Sequence, residues 1–232
     1  MELNQVDVYH FLKSKDINHL YHANTVTTSC TFIKQGGLLS RGAVESLGLT
    51  QTEQMSDDLD KEFDVWDDIF LDSNDLHKKF RRQNHYGPVL FKFNIDILLY
   101  PSLPPLWVTR DNPTRWTAGL SESERYFGSV EALKQDYETG AYKEMITLRN
   151  THDILPFESY LEEIILDNPK ILLAKENVLE KAKESLQEAI NDSNYDFSEV
   201  KKTIRNCNNC FCHENYLNEV HSSKIKSYFY MT

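Results

Sequence analysis

The sequence predicts an α+β fold built on a mainly antiparallel sheet. Apolar or alternating segments of strand length recur at residues 18–23, 68–72, 89–95, 106–109, 144–148 and 164–166. Few helical patterns lie between them, so the crossover helices of a doubly wound parallel sheet are not indicated. A length of 232 residues fits one domain, or one domain with a small appendage.

Turn and cap residues predict where the helices begin and end. Gly36 and Gly37 end a helical segment at residues 25–33. Asn168 and Pro169 supply a cap and a first-turn proline for a long helix predicted over residues 170–190. The apolar residues of this segment share one face, so we expect the helix to pack against the rest of the chain.

The charge pattern separates an acidic segment from a basic one. The net charge of −11 disfavours binding of nucleic acid by bulk electrostatics. Nearly every charged side chain in residues 53–75 is acidic, with Lys61 the only base, whereas residues 77–85 carry six basic or histidine side chains. A local basic patch is therefore compatible with the acidic total, although the acidic segment itself is most simply a solvated loop.

Targeting signals are absent from the sequence as given. No apolar run is long enough to span a bilayer. The first residues lack a basic segment followed by an apolar one, so no secretory signal is predicted. We therefore expect a cytoplasmic protein with no membrane partner.

Two isolated polar side chains stand at the ends of predicted strands. His22 closes the strand at residues 18–23, and Glu144 opens the strand at residues 144–148. A buried carboxylate can stabilise the positive charge that develops on a ribose when a nicotinamide–ribose bond breaks. A histidine can hydrogen-bond to a ribose hydroxyl. Taken alone, Glu144 is better described as a surface glutamate, and only the neighbouring blocks favour a catalytic role.

Three blocks of the sequence, in order, resemble the DarT-type ADP-ribosyltransferase toxins, which modify nucleic acids. The first block combines residues 21–24 (Tyr-His-Ala-Asn) with residues 36–40 (Gly-Gly-Leu-Leu-Ser). The second, residues 77–93, places arginines before a turn and an aromatic strand. The third contains residues 143–148 (Lys-Glu-Met-Ile-Thr-Leu) and the apolar segments that follow them. Together the blocks cover residues 20–167.

The resemblance implies an ADP-ribosyltransferase-like split antiparallel sheet with flanking helices and NAD bound in a cleft. Glu144 matches the catalytic glutamate of that family. Arg82 matches the arginine that handles phosphate and the acceptor base, so both residues are predicted to be catalytic. The residues predicted to bind the cofactor are His22, Asn24, Ser40 and Arg81.

The function implied by the resemblance is NAD-dependent mono-ADP-ribosylation of a nucleobase in RNA or DNA, by a bacterial toxin or anti-phage effector. NAD is then a substrate, and an antitoxin protein is an expected partner. Two segments depart from the pattern of the DNA-modifying members of that family. They are the insertion at residues 43–65 and the block at residues 78–82, which reads Lys-Lys-Phe-Arg-Arg in place of a plain arginine run. RNA is therefore slightly favoured over DNA as the acceptor. The alternatives are ADP-ribosylation of protein, RNA 2′-phosphate transfer, which Glu144 disfavours, and a non-enzymatic interaction protein of a toxin–antitoxin system.

The chain is predicted to divide at residue 168. Residues 1–168 form the catalytic domain, and residues 169–232 form a helical extension packed on that domain, with a cysteine cluster. The cluster contains Cys207, Cys210 and Cys212, with His213 or His221 available to complete four ligands. A second Cys-x2-Cys pair is missing, so packed thiols are favoured over structural zinc at Cys207, Cys210, Cys212 and His213.

Overall fold

The computed structural model describes residues 1–138, 143–205, 210–218 and 222–231. Its strands are β1 (His19–Asn24), β2 (Gly37–Leu38), β3 (Ile69–Asp72), β4 (Val89–Asn94), β5 (Leu106–Val108), β6 (Met145–Leu148), β7 (Leu155–Pro156), β8 (Leu161–Leu166), β9 (Leu172–Leu173), β10 (Glu176–Asn177) and β11 (Lys201–Ile204). Its α-helices are α1 (Gln5–Ser14), α2 (Val26–Gln35), α3 (Arg41–Ser46), α4 (Asp57–Glu62), α5 (Leu76–Phe80), α6 (Glu122–Arg125), α7 (Val130–Asp136), α8 (Val178–Asn191), α9 (Cys212–Asn218) and α10 (Ser222–Phe229). Short 3₁₀ helices occupy Ile95–Leu99 and Pro113–Arg115.

Seven of the described strands form one sheet in the order β11-β8-β4-β1-β3-β6-β5. Neighbouring strands run antiparallel except for β11, which pairs with β8 in parallel. Two small sheets pair β2 with β7 and β9 with β10. The predicted α+β fold with a mainly antiparallel sheet is therefore confirmed.

The large sheet divides between β1 and β3. Strand β1 pairs with β4 along its whole length, from His19 opposite Asn94 to Asn24 opposite Val89. Against β3 it has one described register pair, Tyr21 opposite Asp72. Beyond that pair the ladder stops, so a cleft opens between the end of β1 and the start of β3. The split sheet implied by the resemblance is present.

Aromatic side chains pack beside the half-sheet that contains β1 and β4. Phe91 on β4 is fully buried and stacks on Phe157 with ring centroids 5.6 Å apart. Phe32 on α2 packs against Phe91 at 6.1 Å. Such aromatic pairs contribute about 0.5–1.5 kcal/mol each beyond simple burial. Helix α2 is buried along most of its length because α8 and α10 pack against it.

A second cluster covers the half-sheet of β3, β6 and β5. It consists of the buried side chains of Phe63, Val65, Trp116 and Tyr126. Beside it, Arg149 forms an ion pair with the buried Asp68 at 2.8 Å. The main core extends under both half-sheets, since it also contains Ile69, Leu71 and Ile146, and the second cluster adds packing beside β3, β6 and β5.

The C-terminal part differs from the predicted long helix at residues 170–190. Ala174 and Lys175 both have positive φ, as in the two-residue turns that join hairpin strands, and they connect β9 to β10. Helix α8 consequently starts only at Val178, where the Asn177 side chain accepts a hydrogen bond from the Leu179 amide at 3.0 Å. Strand β11 extends the large sheet, and the domain boundary at residue 168 stays a prediction. Within the described ranges, no helix is long and apolar enough to cross a membrane.

Candidate active site at the split in the sheet

A cavity lies at the split, where β1 and β3 separate. It encloses roughly 900 Å³ of space, part of it open to solvent. We call it the inner cavity. Its polar lining includes His22, Asn24, Arg41, Gln51, Gln54, Ser56, Asp60, Asp68, Asp72, Asn112 and Thr114. Phe32, Leu39, Val65, Ile69 and Phe70 are among its apolar walls.

The His22 imidazole bridges the split. Its Nδ1 lies 2.9 Å from the carbonyl oxygen of Phe70 on β3. A carbonyl can only accept, so Nδ1 carries the proton and donates. The other ring nitrogen, Nε2, is then an acceptor, and it lies 3.4 Å from Nδ2 of Asn24. A side-chain hydrogen bond therefore joins the two half-sheets where the backbone ladder has stopped.

The Asn24 amide continues this polar chain across the cavity floor. It is 3% exposed, and its Oδ1 accepts from the Gln54 side chain at 3.0 Å and from the Thr25 backbone at 2.9 Å. Gly87 makes the arrangement possible, because a Cβ there would lie 2.3 Å from the backbone of Asn24. The sequence-predicted residues His22 and Asn24 are thus brought together in the inner cavity.

Burial keeps the His22 imidazole neutral. Desolvation lowers the pKa of His22 below its usual value of 6.5, and the hydrogen bond to the Phe70 carbonyl offsets part of this effect. A neutral ring with a protonated Nδ1 presents Nε2 as an acceptor at pH 7. Such an atom can accept a hydrogen bond from a ribose hydroxyl.

Asp72 is a lining carboxyl that the sequence patterns did not single out. It lies opposite Tyr21 and Met145 at the closed end of the split. Burial raises the pKa of Asp72 to about 7. Among the described residues none forms an ion pair with it. The side chain can therefore hold or release a proton near neutral pH, and its short strand β3 gave no signal of this in the sequence.

Arg41 is the single arginine or lysine on the described wall of the inner cavity. It is ion-paired with Asp57 at 2.5 Å and donates to the Thr52 carbonyl at 2.9 Å. It directly follows the Gly-Gly-Leu-Leu-Ser block, at the start of α3. Both terminal nitrogens of its guanidinium are thus engaged, and its Nε is buried without a partner among the described residues.

A second cavity, which we call the outer hollow, adjoins the inner one. The two share Gln54, Ser56, Leu59, Tyr86, Asn112 and Thr114 as lining residues. The outer hollow also carries the cations Arg82, Arg115 and Lys224 and the aromatic rings of Phe80 and Tyr228. Exposed cations beside aromatic rings are the surface chemistry that binds single-stranded nucleic acid.

The structure separates the two neighbouring arginines of the predicted site. Arg82 lines the outer hollow. Arg81 adopts a left-handed conformation with φ of 55° at the end of α5, and its side chain lines a different surface groove with Lys78 and Lys79. The predicted role of Arg81 in cofactor binding stays a prediction, and its side chain is in neither of the two cavities.

Glu144 is buried immediately before β6. It is 7% exposed, and among the described residues no hydrogen-bond partner reaches its Oε1. Burial raises the pKa of Glu144, and nearby backbone N–H groups and Lys143 partly oppose this. Its neighbour Met145 lines the inner cavity, whereas Glu144 itself is not among the described lining residues. Its catalytic role stays a prediction.

Ser40 has a structural task that occupies its hydroxyl. It is 1% exposed, accepts from the Ala43 amide at 3.1 Å as the cap of α3, and donates to the Thr151 carbonyl at 2.7 Å. Leu39 and Arg41 on either side line the inner cavity, but Ser40 does not. Its predicted contact with the cofactor also stays a prediction.

The cysteine cluster is arranged differently from the predicted ligand set. Cys207 and His221 lie outside the described residues. His213 directs its Nδ1 to the Pro169 carbonyl at 2.6 Å. The histidine that meets Cys210 and Cys212 is instead His77 on α5, more than a hundred residues upstream.

Comparison with solved structures finds the same fold in an ADP-ribosyltransferase. The DarT of Thermus sp. 2.9 in complex with ADP-ribosylated ssDNA matches with a TM-score of 0.50 and 13% sequence identity, over 82% of this chain and 95% of that chain. Structures of the same protein with NAD+ and with carba-NAD+ match with TM-scores of 0.47 and 0.44. No family model and no curated protein matches the sequence.

The chain therefore has a fold of the DarT type. At this level of identity the comparison establishes architecture, and it confirms the resemblance on which the sequence prediction depended.

Proposed function

We propose that this protein is an NAD-dependent ADP-ribosyltransferase that modifies a base in single-stranded nucleic acid. One observation carries the proposal: the inner cavity at the split adjoins an outer hollow lined by three cations and the exposed ring of Phe80. The donor would occupy the inner cavity and the acceptor strand the outer hollow. The DarT-type fold supports the same assignment.

In the proposed complex the neutral His22 and Asn24 hold the ribose next to nicotinamide. Arg41 is the candidate for the pyrophosphate, because it is the cation on the described wall. Breaking the nicotinamide–ribose bond releases neutral nicotinamide and leaves positive charge on the ribose. A carboxylate beside the ribose stabilises that charge, and the attacking base nitrogen passes its proton to a carboxylate.

Two carboxyl groups compete for these acid and base roles. Glu144 is supported by the resemblance and by its buried, unpaired Oε1. Asp72 is supported by its position in the inner cavity and by a pKa of about 7. Replacing each by its amide separates the two, because the amide keeps the shape and removes the charge. We expect Glu144→Gln to lower the transfer rate by about 10²–10⁴.

The test incubates the purified chain with NAD labelled in its adenosine part, together with separate pools of single-stranded DNA, RNA and protein. Label on nucleic acid supports the proposal, and its distribution identifies DNA or RNA as the acceptor. Label confined to protein would reject the nucleic-acid assignment. Glu131→Gln is the matched control, since Glu131 is an exposed glutamate on α7 away from both cavities.

The cellular role is part of the proposal. The resemblance to the DarT-type toxins is the ground on which we propose a toxin or anti-phage effector. A toxin needs control in its own cell, so we also propose an antitoxin partner. Mass spectrometry of cellular DNA and RNA after induced expression should show the added mass of ADP-ribose. Unmodified nucleic acid together with unimpaired growth would contradict the toxin role.

A further inference from the structure

We propose that His77, Cys210 and Cys212 form a zinc site that ties the C-terminal segment to α5. The three ligand atoms lie within 4.8 Å of one another. His77 and Cys212 are buried, and Cys210 is half-buried. The proposal concerns the stability of the fold and does not depend on the proposed transfer reaction.

The distances suit a tetrahedral metal. His77 Nε2 lies 3.1 Å from Cys210 Sγ. With Zn–N of about 2.1 Å and Zn–S of about 2.3 Å, a tetrahedral ion places a ligand nitrogen and sulfur about 3.6 Å apart and two sulfurs about 3.8 Å apart. An ion between the three atoms thus requires shifts of well under an ångström for the His77–Cys210 pair. A water molecule or a further side chain would take the fourth position.

A second layer of contacts orients His77 as a ligand. Its Nδ1 donates to Asp167 Oδ2 at 2.8 Å, and both side chains are 3% exposed. Asp167 is itself held by Arg205 at 2.8 Å and by the Tyr216 hydroxyl at 3.2 Å. A carboxylate on one ring nitrogen directs the lone pair of the other toward the thiols. This pairing of carboxylate and histidine is the usual support of a metal-binding imidazole.

The charge balance favours a zinc ion in this buried position. Two thiolates and a neutral imidazole around Zn²⁺ give no net charge, so burial carries little desolvation penalty. The Cys212 amide directs its N–H to Cys210 Sγ at 3.4 Å. Neither Cys210 nor Cys212 is in a disulfide. The site therefore has ligands of the right type, close to one another, with a carboxylate that supports the histidine.

The site would also anchor the turn that precedes Arg82. The Phe211 amide donates to the Arg81 carbonyl at 2.7 Å, and Cys210 Sγ contacts the same oxygen at 3.1 Å. Zinc at His77 would join α5, this turn and the start of α9. We expect its removal to loosen all three.

The test measures metal in the full chain purified under reducing conditions without chelator. We expect about one zinc per chain by elemental mass spectrometry. Reconstitution of the metal-stripped protein with Co²⁺ should give thiolate-to-cobalt charge-transfer absorption. Cys210→Ser and Cys212→Ser should each lose most of the bound metal. Cys30→Ser is the control, because Cys30 is a buried thiol that contacts the Ser185 carbonyl on α8 and should leave the metal content unchanged.

If the serine variants at Cys210 and Cys212 do not fold, a measurement that does not need them still tests the proposal. A chelator should lower the melting temperature of the wild-type chain and of Cys30→Ser, and added zinc should restore it. Wild-type protein that takes up neither Zn²⁺ nor Co²⁺ after reconstitution would overturn the proposal. So would Co²⁺ binding without thiolate absorption, or equal loss of metal in Cys30→Ser.

Discussion

His22 replaces a missing backbone contact with Phe70. The imidazole donates to the Phe70 carbonyl at 2.9 Å. His22 is one residue beyond Tyr21 and Phe70 is two residues before Asp72, where the ladder between β1 and β3 stops. The ring therefore joins the half-sheets and lines the inner cavity between them. Its structural and its proposed binding roles use different nitrogens, because Nδ1 is occupied and Nε2 faces Asn24.

Replacing His22 should weaken NAD binding. We expect His22→Ala to raise the dissociation constant for NAD about tenfold or more, since one buried hydrogen bond typically contributes about 1–3 kcal/mol when its partner is left unsatisfied. Calorimetry measures the constant, and a thermal melt reports any loss of stability. His19→Ala is the control, because His19 lies on the same strand but pairs with Glu162 at 3.0 Å outside both cavities. Unchanged NAD affinity in His22→Ala would contradict the prediction.

Substituting Gly87 should damage the cavity floor. Its φ is +142°, and a Cβ would lie 2.3 Å from the Asn24 backbone. We expect Gly87→Ala to lower the free energy of unfolding by about 2 kcal/mol or more, since neither the strand nor the turn can move away freely. Gly128→Ala should change it by less than about 0.5 kcal/mol, because nothing lies within 4 Å of the added Cβ. Denaturant titration measures the free energy of unfolding of both variants. Equal losses in the two would contradict the close approach of Gly87 to the Asn24 backbone.

Asp72 should make stability depend on pH. Its pKa rises from 3.8 in the unfolded chain to about 7 in the fold. Between these values the folded state binds more protons than the unfolded state, so this residue's contribution falls as pH rises from about 4 to 7. A rise of about 3 pKa units corresponds to roughly 4 kcal/mol. We therefore expect Asp72→Asn to be more stable than wild type by up to about 4 kcal/mol at pH 8 and to lose the advantage at pH 4. A difference independent of pH would show that Asp72 titrates normally.

The two neighbouring arginines should differ in nucleic-acid binding. Arg82 lines the outer hollow, whereas Arg81 lines a separate groove. We expect Arg82→Ala to weaken binding of a single-stranded oligonucleotide. The slope of log K against log salt concentration should also become about 0.7 less steep, which corresponds to one lost phosphate contact. Arg81→Ala is the matched control and should leave the slope unchanged. Fluorescence anisotropy across a salt series measures both, and a larger effect of Arg81 would place the acceptor elsewhere.

The local patterns predicted much of the fold correctly. Gly36 ends α2 in a left-handed conformation with φ of 72°, as the glycine pair indicated. The alternation at residues 89–95 corresponds to β4. The helix predicted from residue 170 begins at residue 178, because two consecutive residues with positive φ form a hairpin turn that no proline or glycine had announced.

The sequence alone predicted the strands β1, β3, β4, β5, β6 and β8 in their order, and it placed His22 and Asn24 at the end of the strand where a cleft forms. These features depend on period, caps and glycines, which act within a few residues. Only the tertiary structure decided that Asp72 and Arg41 line the cavity, that Arg81 and Arg82 diverge, and that His77 meets Cys210. Those contacts join segments that are distant in sequence. Their geometry depends on how the half-sheets separate and on how the C-terminal segment packs. Patterns that extend over only a few residues carry no information about either.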